Sequence, residues 1–473
     1  MHGYHPFAED AEIYLPGIEK ILHPQLFPVG GEFFGSHASM TLFPNLVAFS
    51  LRVTHLPLEV GIFLWQVASI FLLLLACWQL SGLCFPTSKA RWAGVMLIAG
   101  LLTMPVAGTA LYIVDQYVNP RNLAAFAAIF AVTRTLQGKY IRALVWIAFA
   151  ASVHPLMWLY PFSFCMLLLV MNYLDRRSSS GLERATAPSA VAFLVLMIPL
   201  APRSTPAYHE AMKTHGYLLI QRWAWYEIVG ALAPIALFYC FAGIAKSKDW
   251  LTIRRLSHAF IIYDIIYVLA ALVMDLPPRF EALSRFQPLR NLHLLYIVMF
   301  LIVGGMLAEF ILKDHWWRWL ALFIPLALGM FFAQRALFPA SPQVEWPWQS
   351  PRNPWGQAFV WVRANTPVNA LFALDPATMN IDGEDEIGFR CLAQRSRMAD
   401  AVKDTGVVSM FPPLADEWWT QVQAQRPWKN LNLDGFEQLK KSYGVGWAVV
   451  QQPGVAGLNC RYQNIAVQVC QIP

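Results

Sequence analysis

Charge is what this sequence has least of. Lys, Arg, Asp and Glu make up 14% of its 473 residues, against about 25% in an ordinary soluble chain, so most of the fold must be solvated by lipid. The sequence also lacks a Gly-Lys-Ser/Thr phosphate loop and a zinc-type Cys/His cluster. No basic stripe interleaved with aromatics runs along it, so the net charge of +6 points to membrane topology and away from nucleic acid. Cysteines are few and fall into two groups. Cys77, Cys84, Cys165 and Cys240 lie in or beside apolar runs, where they read as small core residues. Cys391, Cys460 and Cys470 lie in the polar C-terminal part. If that part faces an oxidising compartment, Cys460 and Cys470 can close a small loop near the chain end, leaving one cysteine unpaired.

What is present is apolar. Hydrophobic residues make up 57% of the chain and the mean hydropathy is +0.44. A spanning helix needs roughly 17–25 apolar residues, and the runs predict about ten: Leu58–Cys84, Trp92–Val114, Asn122–Leu136, Ala143–Val153, Leu156–Leu174, Pro188–Ala201, Trp225–Ala245, Ala259–Met274, Leu292–Leu312 and Trp316–Phe332. Alternate loops carry Lys89 and Arg91; Arg134, Lys139 and Arg142; Arg176, Arg177 and Arg184; Lys246, Lys248, Arg254 and Arg255; and Lys313 and Arg318. The opposite loops are poorer in cations, so the first set is expected in the cytoplasm and both chain ends outside it. The expected fold is mainly α, a polytopic transmembrane helical bundle with a small extracytoplasmic α/β C-terminal domain. Its parts are an outer-face segment (1–57), the transmembrane helical domain (58–336) and the C-terminal domain (337–473). The chain starts on a polar segment without a signal peptide, from which a first transmembrane helix upstream of Met1 is expected.

Within 1–57, Ala11–Leu22 has helical spacing, with Asp10 placed as its N-cap and Ile13, Ile18 and Ile21 or Leu22 as a buried face. The stretch HPQLFPVGGEFFG reads as loop, and Leu42–Leu51 as a second amphipathic helix. The whole segment is expected along the membrane surface. In the C-terminal part, Trp355–Asn365, Asp416–Ala424 and Gly435–Tyr443 read as helices. Ala370–Leu374, Trp447–Gln451 and Ile465–Gln471 read as strands. The acidic stretch IDGEDEIGFR reads as a solvated loop before it reads as a metal site.

Ionisable groups at the outer ends of spans are the informative ones, because an unpaired charge in lipid costs several kcal/mol. Glu9 and Asp10 follow an aromatic, proline-constrained stretch. They suit a divalent-cation site or a general base, or else an N-cap with a solvated neighbour. Asp115, Gln116 and Arg121 bracket a short outer loop, either at a cavity mouth or as a helix cap with Arg121 at the interface. His154, before Pro155, either lines such a cavity or simply packs. Arg285, Gln287 and Arg290 enter a span from outside, where arginines either grip a phosphate with paired hydrogen bonds or snorkel to headgroups. Lys213, His215 and Arg222 add to the same electropositive face. Together these groups suit transfer chemistry on a lipid-linked phosphate, with cations on the leaving phosphate and a carboxylate taking a hydroxyl proton.

This layout resembles the C-type (GT-C) membrane glycosyltransferase superfamily, in the HPFAEDAEIY stretch at the expected place of the first-loop acidic motif. The DQYVNPR, HPLMWLYP, RFQPLR and RSRMADAVKDTGVVSMFP stretches are similar to segments of bacterial proteins of the same build. The resemblance covers most of the chain. It implies a GT-C-like bundle in a bacterial inner membrane, in contact with the lipid bilayer, that takes a sugar from a polyprenyl-phosphate-linked donor. It gives Glu9 and Asp10 the role of base or of ligands to Mg or Mn. Two other classes compete. A transporter would need charges within the spans, for which Asp264 and Glu309 are candidates, and broken helices, for which Pro105, Pro161 and Pro234 are. A receptor or assembly protein would need only the C-terminal domain.

Overall fold

The computed structural model describes residues 1–178, 205–275 and 283–473; the expected span Pro188–Ala201 and the loop residue Arg184 lie outside them. Among the described residues, five helices are long and apolar enough to cross a membrane: Leu58–Cys84, Trp225–Ser247, Leu251–Asp275, Leu283–Leu312 and Trp316–Leu337. Two shorter apolar helices, Tyr140–Val153 and Leu159–Asp175, accompany them. We label the first helices α1 (Ala11–Leu22), α2 (Glu32–Ser39), α3 (Phe43–Thr54), α4 (Leu58–Cys84), α5 (Ser88–Gly100), α6 (Pro120–Leu136) and α7 (Tyr140–Val153).

The central helix is α6, in which 15 of 17 residues are buried. Asn119 caps it by accepting from the Arg121 backbone N–H, and Pro120 occupies its first turn, where a missing N–H costs nothing. The expected span Trp92–Val114 needs correction. Its helix ends at Gly100, because Pro105 cannot continue a helix and disfavours one in the residue before it. The chain from Leu101 to Asn119 then folds back on itself. Val106 N–H donates to the Leu111 carbonyl, Ile113 N–H to that of Met104 and Val114 N–H to that of Leu102. Irregular backbone of this kind is tolerated beside a bilayer when protein buries it and its polar groups pair internally.

Small residues let α5 and the Asn291–Leu307 helix touch backbone to backbone. A Cβ on Gly304 would stand 2.6 Å from the Ala93 carbonyl oxygen, and one on Gly94 would stand 2.6 Å from that of Leu301. Helix pairs in lipid depend on such close approach. Gly304→Val is therefore expected to cost about 1–3 kcal/mol or more through overpacking, read as a lower thermal midpoint of the detergent-purified chain. An unchanged midpoint would contradict this packing account.

The C-terminal domain holds a five-stranded sheet in the order β2-β1-β3-β5-β4. Its strands are β1 (Leu371–Ala373), β2 (Ser396–Arg397), β3 (Trp447–Gln451), β4 (Asn459–Gln463) and β5 (Val467–Gln471). β1 pairs in parallel with β2 and β3, whereas β5 runs antiparallel to both β3 and β4. A disulfide joins Cys460 on β4 to Cys470 on β5, and Cys391 stays free and buried. The stretch IDGEDEIGFR is not the expected solvated loop, since Glu384 and Asp385 are both buried.

The N-terminal segment does not lie on a surface either. It threads between the bundle and the C-terminal domain. Tyr4 exchanges backbone hydrogen bonds with Gln343 and Glu345, and His5 N–H donates to the Gln116 carbonyl. Glu9 N–H donates to the Glu386 carbonyl, and Gly388 N–H to that of Phe7. α1 has the expected bounds, but it is buried from Ala11 to Glu19 on every side. The reason is that domain and bundle each cover one face of it.

Candidate functional site

A cavity of about 390 Å³ opens where these three parts meet, within the usual range for small-molecule sites. Glu9, Asp10, Arg121, His154, Gln287 and Arg290 all line it. Three helix ends bring them there. Asp10 precedes α1, Arg121 sits in the first turn of α6, and Arg290 starts the Asn291–Leu307 helix after the tight turn Pro288–Arg290. Two of these ends therefore add their positive dipoles to the arginines they carry. Glu9, Ala110 and Gln287, all cavity residues, have φ values of 52°, 52° and 51°. Non-glycine residues held in that region store strain, which functional sites commonly tolerate.

The charges are arranged around Asp10. Arg121 Nη1 lies 3.0 Å from Asp10 Oδ2, and Lys403 Nζ lies 3.4 Å from Asp10 Oδ1. Lys403 also reaches Glu386 at 3.6 Å and Glu9 at 3.9 Å. Burial works against ionisation of Asp10, but Lys403, Arg121 and Arg290 together outweigh it and hold the carboxyl well below its usual range. Glu9 goes the other way. Burial pushes its carboxyl up to about 8; Lys403 opposes this, and Glu386, Asp10 and Asp115 reinforce it. One carboxylate thus stays ionised while its neighbour titrates near neutrality, a division of labour that acid–base sites use.

The remaining walls are neutral or cationic. His154 Nδ1 accepts from the backbone N–H groups of Leu156 and Met157 at 3.1 and 3.2 Å. Its proton therefore sits on Nε2. Burial holds His37 and His215 down at about 4, so both are neutral at pH 7. Arg290 is 8% exposed, and its side chain has no hydrogen-bond or ion-pair partner among the described residues. Such a guanidinium in a cavity wall calls for an anion.

Three expected residues are elsewhere. Asp115 stands behind the cavity, where both Arg121 Nε and Nη2 approach its Oδ2 at 3.2 Å; it holds the arginine. Gln116 donates from Nε2 to Gln334 Oε1 at 2.7 Å and so ties the loop to the Trp316–Leu337 helix. Arg285 does not line the cavity and lies over the Phe286 ring, 5.4 Å from its centroid. Lys213 and Arg222 do not line the cavity: Lys213 pairs with Glu210, and Arg222 donates to the Lys213 carbonyl. Asp10 occupies the N-cap position, yet its side chain makes no cap bond, because two cations have claimed it.

The residue that sequence reasoning passed over is Lys403. Its backbone is set by Asp400, whose Oδ1 accepts from the N–H groups of Val402, Lys403 and Asp404. An aspartate two to four residues before a short helix is a readable turn signal. Nothing in it, however, says that the lysine points at Glu9 and Asp10, nearly 400 positions away.

A divalent ion does not fit this arrangement well. Both Asp10 oxygens face cations, and the described residues hold no group of three or more His, Cys, Asp or Glu side chains arranged to bind a metal. No protein-family model matches the chain, and no curated protein sequence matches it. Fold and site together define a helical protein with five helices, among the described residues, long and apolar enough to cross a membrane, and with a polar cavity between the helices and the C-terminal domain.

Proposed function

We propose that this chain is a multi-pass glycosyltransferase-like enzyme of the bacterial inner membrane, moving a sugar from a polyprenyl-phosphate donor to an acceptor hydroxyl. The observation that carries this reading is the meeting, in one cavity at the helix ends, of the Glu9–Asp10 pair and Arg290, which has no partner among the described residues. The acceptor oxygen attacks the anomeric carbon, whose bond to the phosphate oxygen breaks. The phosphate leaves with that electron pair toward Arg290 and the His154 Nε2 proton. Glu9 takes the acceptor's proton, and Asp10, held ionised, keeps Arg121 and Lys403 in place.

The orientation has its own support. The cation-rich turns lie together at the other end of the bundle, where Lys89 pairs with Asp314 and Lys248 sits over Phe310. Cytoplasmic loops carry such residues, which supports an outward-facing cavity and C-terminal domain. The Cys460–Cys470 bond suits that compartment. Of the charges a transporter would need, Glu309 accepts a hydrogen bond from Thr87 and Asp264 accepts one from Asn291 through Oδ1, while Asp264 Oδ2 is buried without a partner among the described residues.

The test is transfer by the chain in nanodiscs supplied with radiolabelled polyprenyl-phosphate hexoses and pentoses and a membrane-extract acceptor pool. Because Glu9 must be ionised to accept a proton, the rate should rise with pH to a plateau above about 8. In Glu9→Asp that limb should move. No transfer from any of the donors, or a rate falling over pH 6–8, would count against the reading.

A further inference from the structure

The Glu9, Asp10 and Glu386 carboxylates turn toward one point, and a side chain from another domain occupies it. Lys403 is carried on the C-terminal domain, and its ammonium group faces Asp10, Glu386 and Glu9 at 3.4, 3.6 and 3.9 Å. Its positive charge is shared among these three carboxylates, with Asp10 the nearest. The Lys403 side chain is 14% exposed, so it is not a solvated lysine that happens to pass by. Its route is also fixed at both ends: Asp400 accepts from the Lys403 N–H at 2.6 Å, and Arg390 grips the next residue, Asp404, through two hydrogen bonds of 2.8 and 2.7 Å. Arg121 then closes the remaining Asp10 oxygen. A divalent cation at this point would need several oxygens at just over 2 Å and would have to share the space with two positive groups.

We infer that Lys403 is the site's resident cation, standing where a divalent metal would otherwise neutralise Glu9, Asp10 and Glu386, so that the acidic pair works without a metal ion. The C-terminal domain then completes the site instead of merely covering it. Removing the lysine charge should leave these three carboxylates uncompensated and free to close on a divalent cation, an arrangement they do not hold with the lysine in place. This inference rests on the pairing of those groups; it uses the proposed transfer reaction only for the role it gives the pair.

The experiment is a Mn²⁺ titration of the full chain, purified in detergent and stripped with chelator, following free Mn²⁺ by electron paramagnetic resonance. Sugar transfer plays no part in the readout, so its outcome is separable from that of the proposed function. The wild type and Asp10→Asn should bind Mn²⁺ alike. Lys403→Ala and the bulkier Lys403→Met should each gain one equivalent, which adding Asp10→Asn removes. Lys403→Arg should gain none. Mn²⁺ bound by the wild type but lost in Asp10→Asn would overturn the inference, as would folded lysine variants that gain no ion. The comparison of wild type with Asp10→Asn decides the question even if the lysine variants fail to fold.

Discussion

Glu9→Gln is expected to slow transfer by roughly 10²- to 10⁴-fold, the usual contribution of a positioned general base, with little change in fold. The size follows from what the amide lacks. It nearly matches the carboxyl in shape and keeps the hydrogen bond from the Glu9 backbone to Glu386, but it cannot accept the acceptor's proton. The pH-dependent limb near 8 should vanish with it. Asp10→Asn should behave differently, because Asp10 is a partner of Arg121 and Lys403. Losing its charge leaves two buried cations under-compensated, so that variant should lose thermal stability together with activity. Parallel assays of rate and thermal midpoint separate the two. A fully active Glu9→Gln, with Asp10→Asn alone inactive, would transfer the role of base to Asp10.

The second large effect concerns the joint between the domain and the N-terminal segment. Arg390 is 1% exposed and surrounded by acids: it makes a two-pronged pair with Asp404 and lies 3.5 Å from Glu12 and 3.7 Å from Asp400. Glu12 belongs to α1, three residues beyond Glu9, and its Oε2 also accepts from the Arg390 backbone N–H at 2.7 Å. Breaking a buried pair by removing one partner costs about 3–5 kcal/mol, because the other charges are left without compensation. Arg390→Ala should therefore lower the thermal midpoint sharply, expose the C-terminal domain to protease, and silence transfer by releasing Lys403. Arg390→Lys keeps the charge but loses the planar fork, so it should recover only part of the stability. A stable, protease-resistant Arg390→Ala would mean that the domain docks through other contacts.

How much of this was legible in the sequence varied with the range of the interaction. The bounds of α1, α4 and β3 follow from local pattern alone, because period, apolar run and turn residues lie within each element. The expected span Trp92–Val114 failed because apolar composition also suits a buried irregular segment, and composition does not distinguish the two. IDGEDEIGFR read as solvated because five acidic or polar positions in a row usually are; the Pro339–Ser341 turn and Asn353 cover it here. Asp385 accepts from the Ala340 N–H, and Asn353 donates to the Gly383 and Glu384 carbonyls. Likewise, Glu9, Asp10, Arg121, His154, Gln287 and Arg290 could be nominated as groups at helix ends, but Asp115, Gln116 and Arg285 satisfied the same rule.

By itself, then, the sequence determined the lipid-solvated helices, the ends at which charged groups could survive and the presence of a separate polar domain, since each depends on residues close together in the chain. Tertiary structure alone decided that the N-terminal segment would be enclosed, that Arg290 would face the cavity, and that Lys403 would meet Glu9 and Asp10. Those outcomes depend on contacts between segments hundreds of residues apart, where direction and distance count and no periodicity records them.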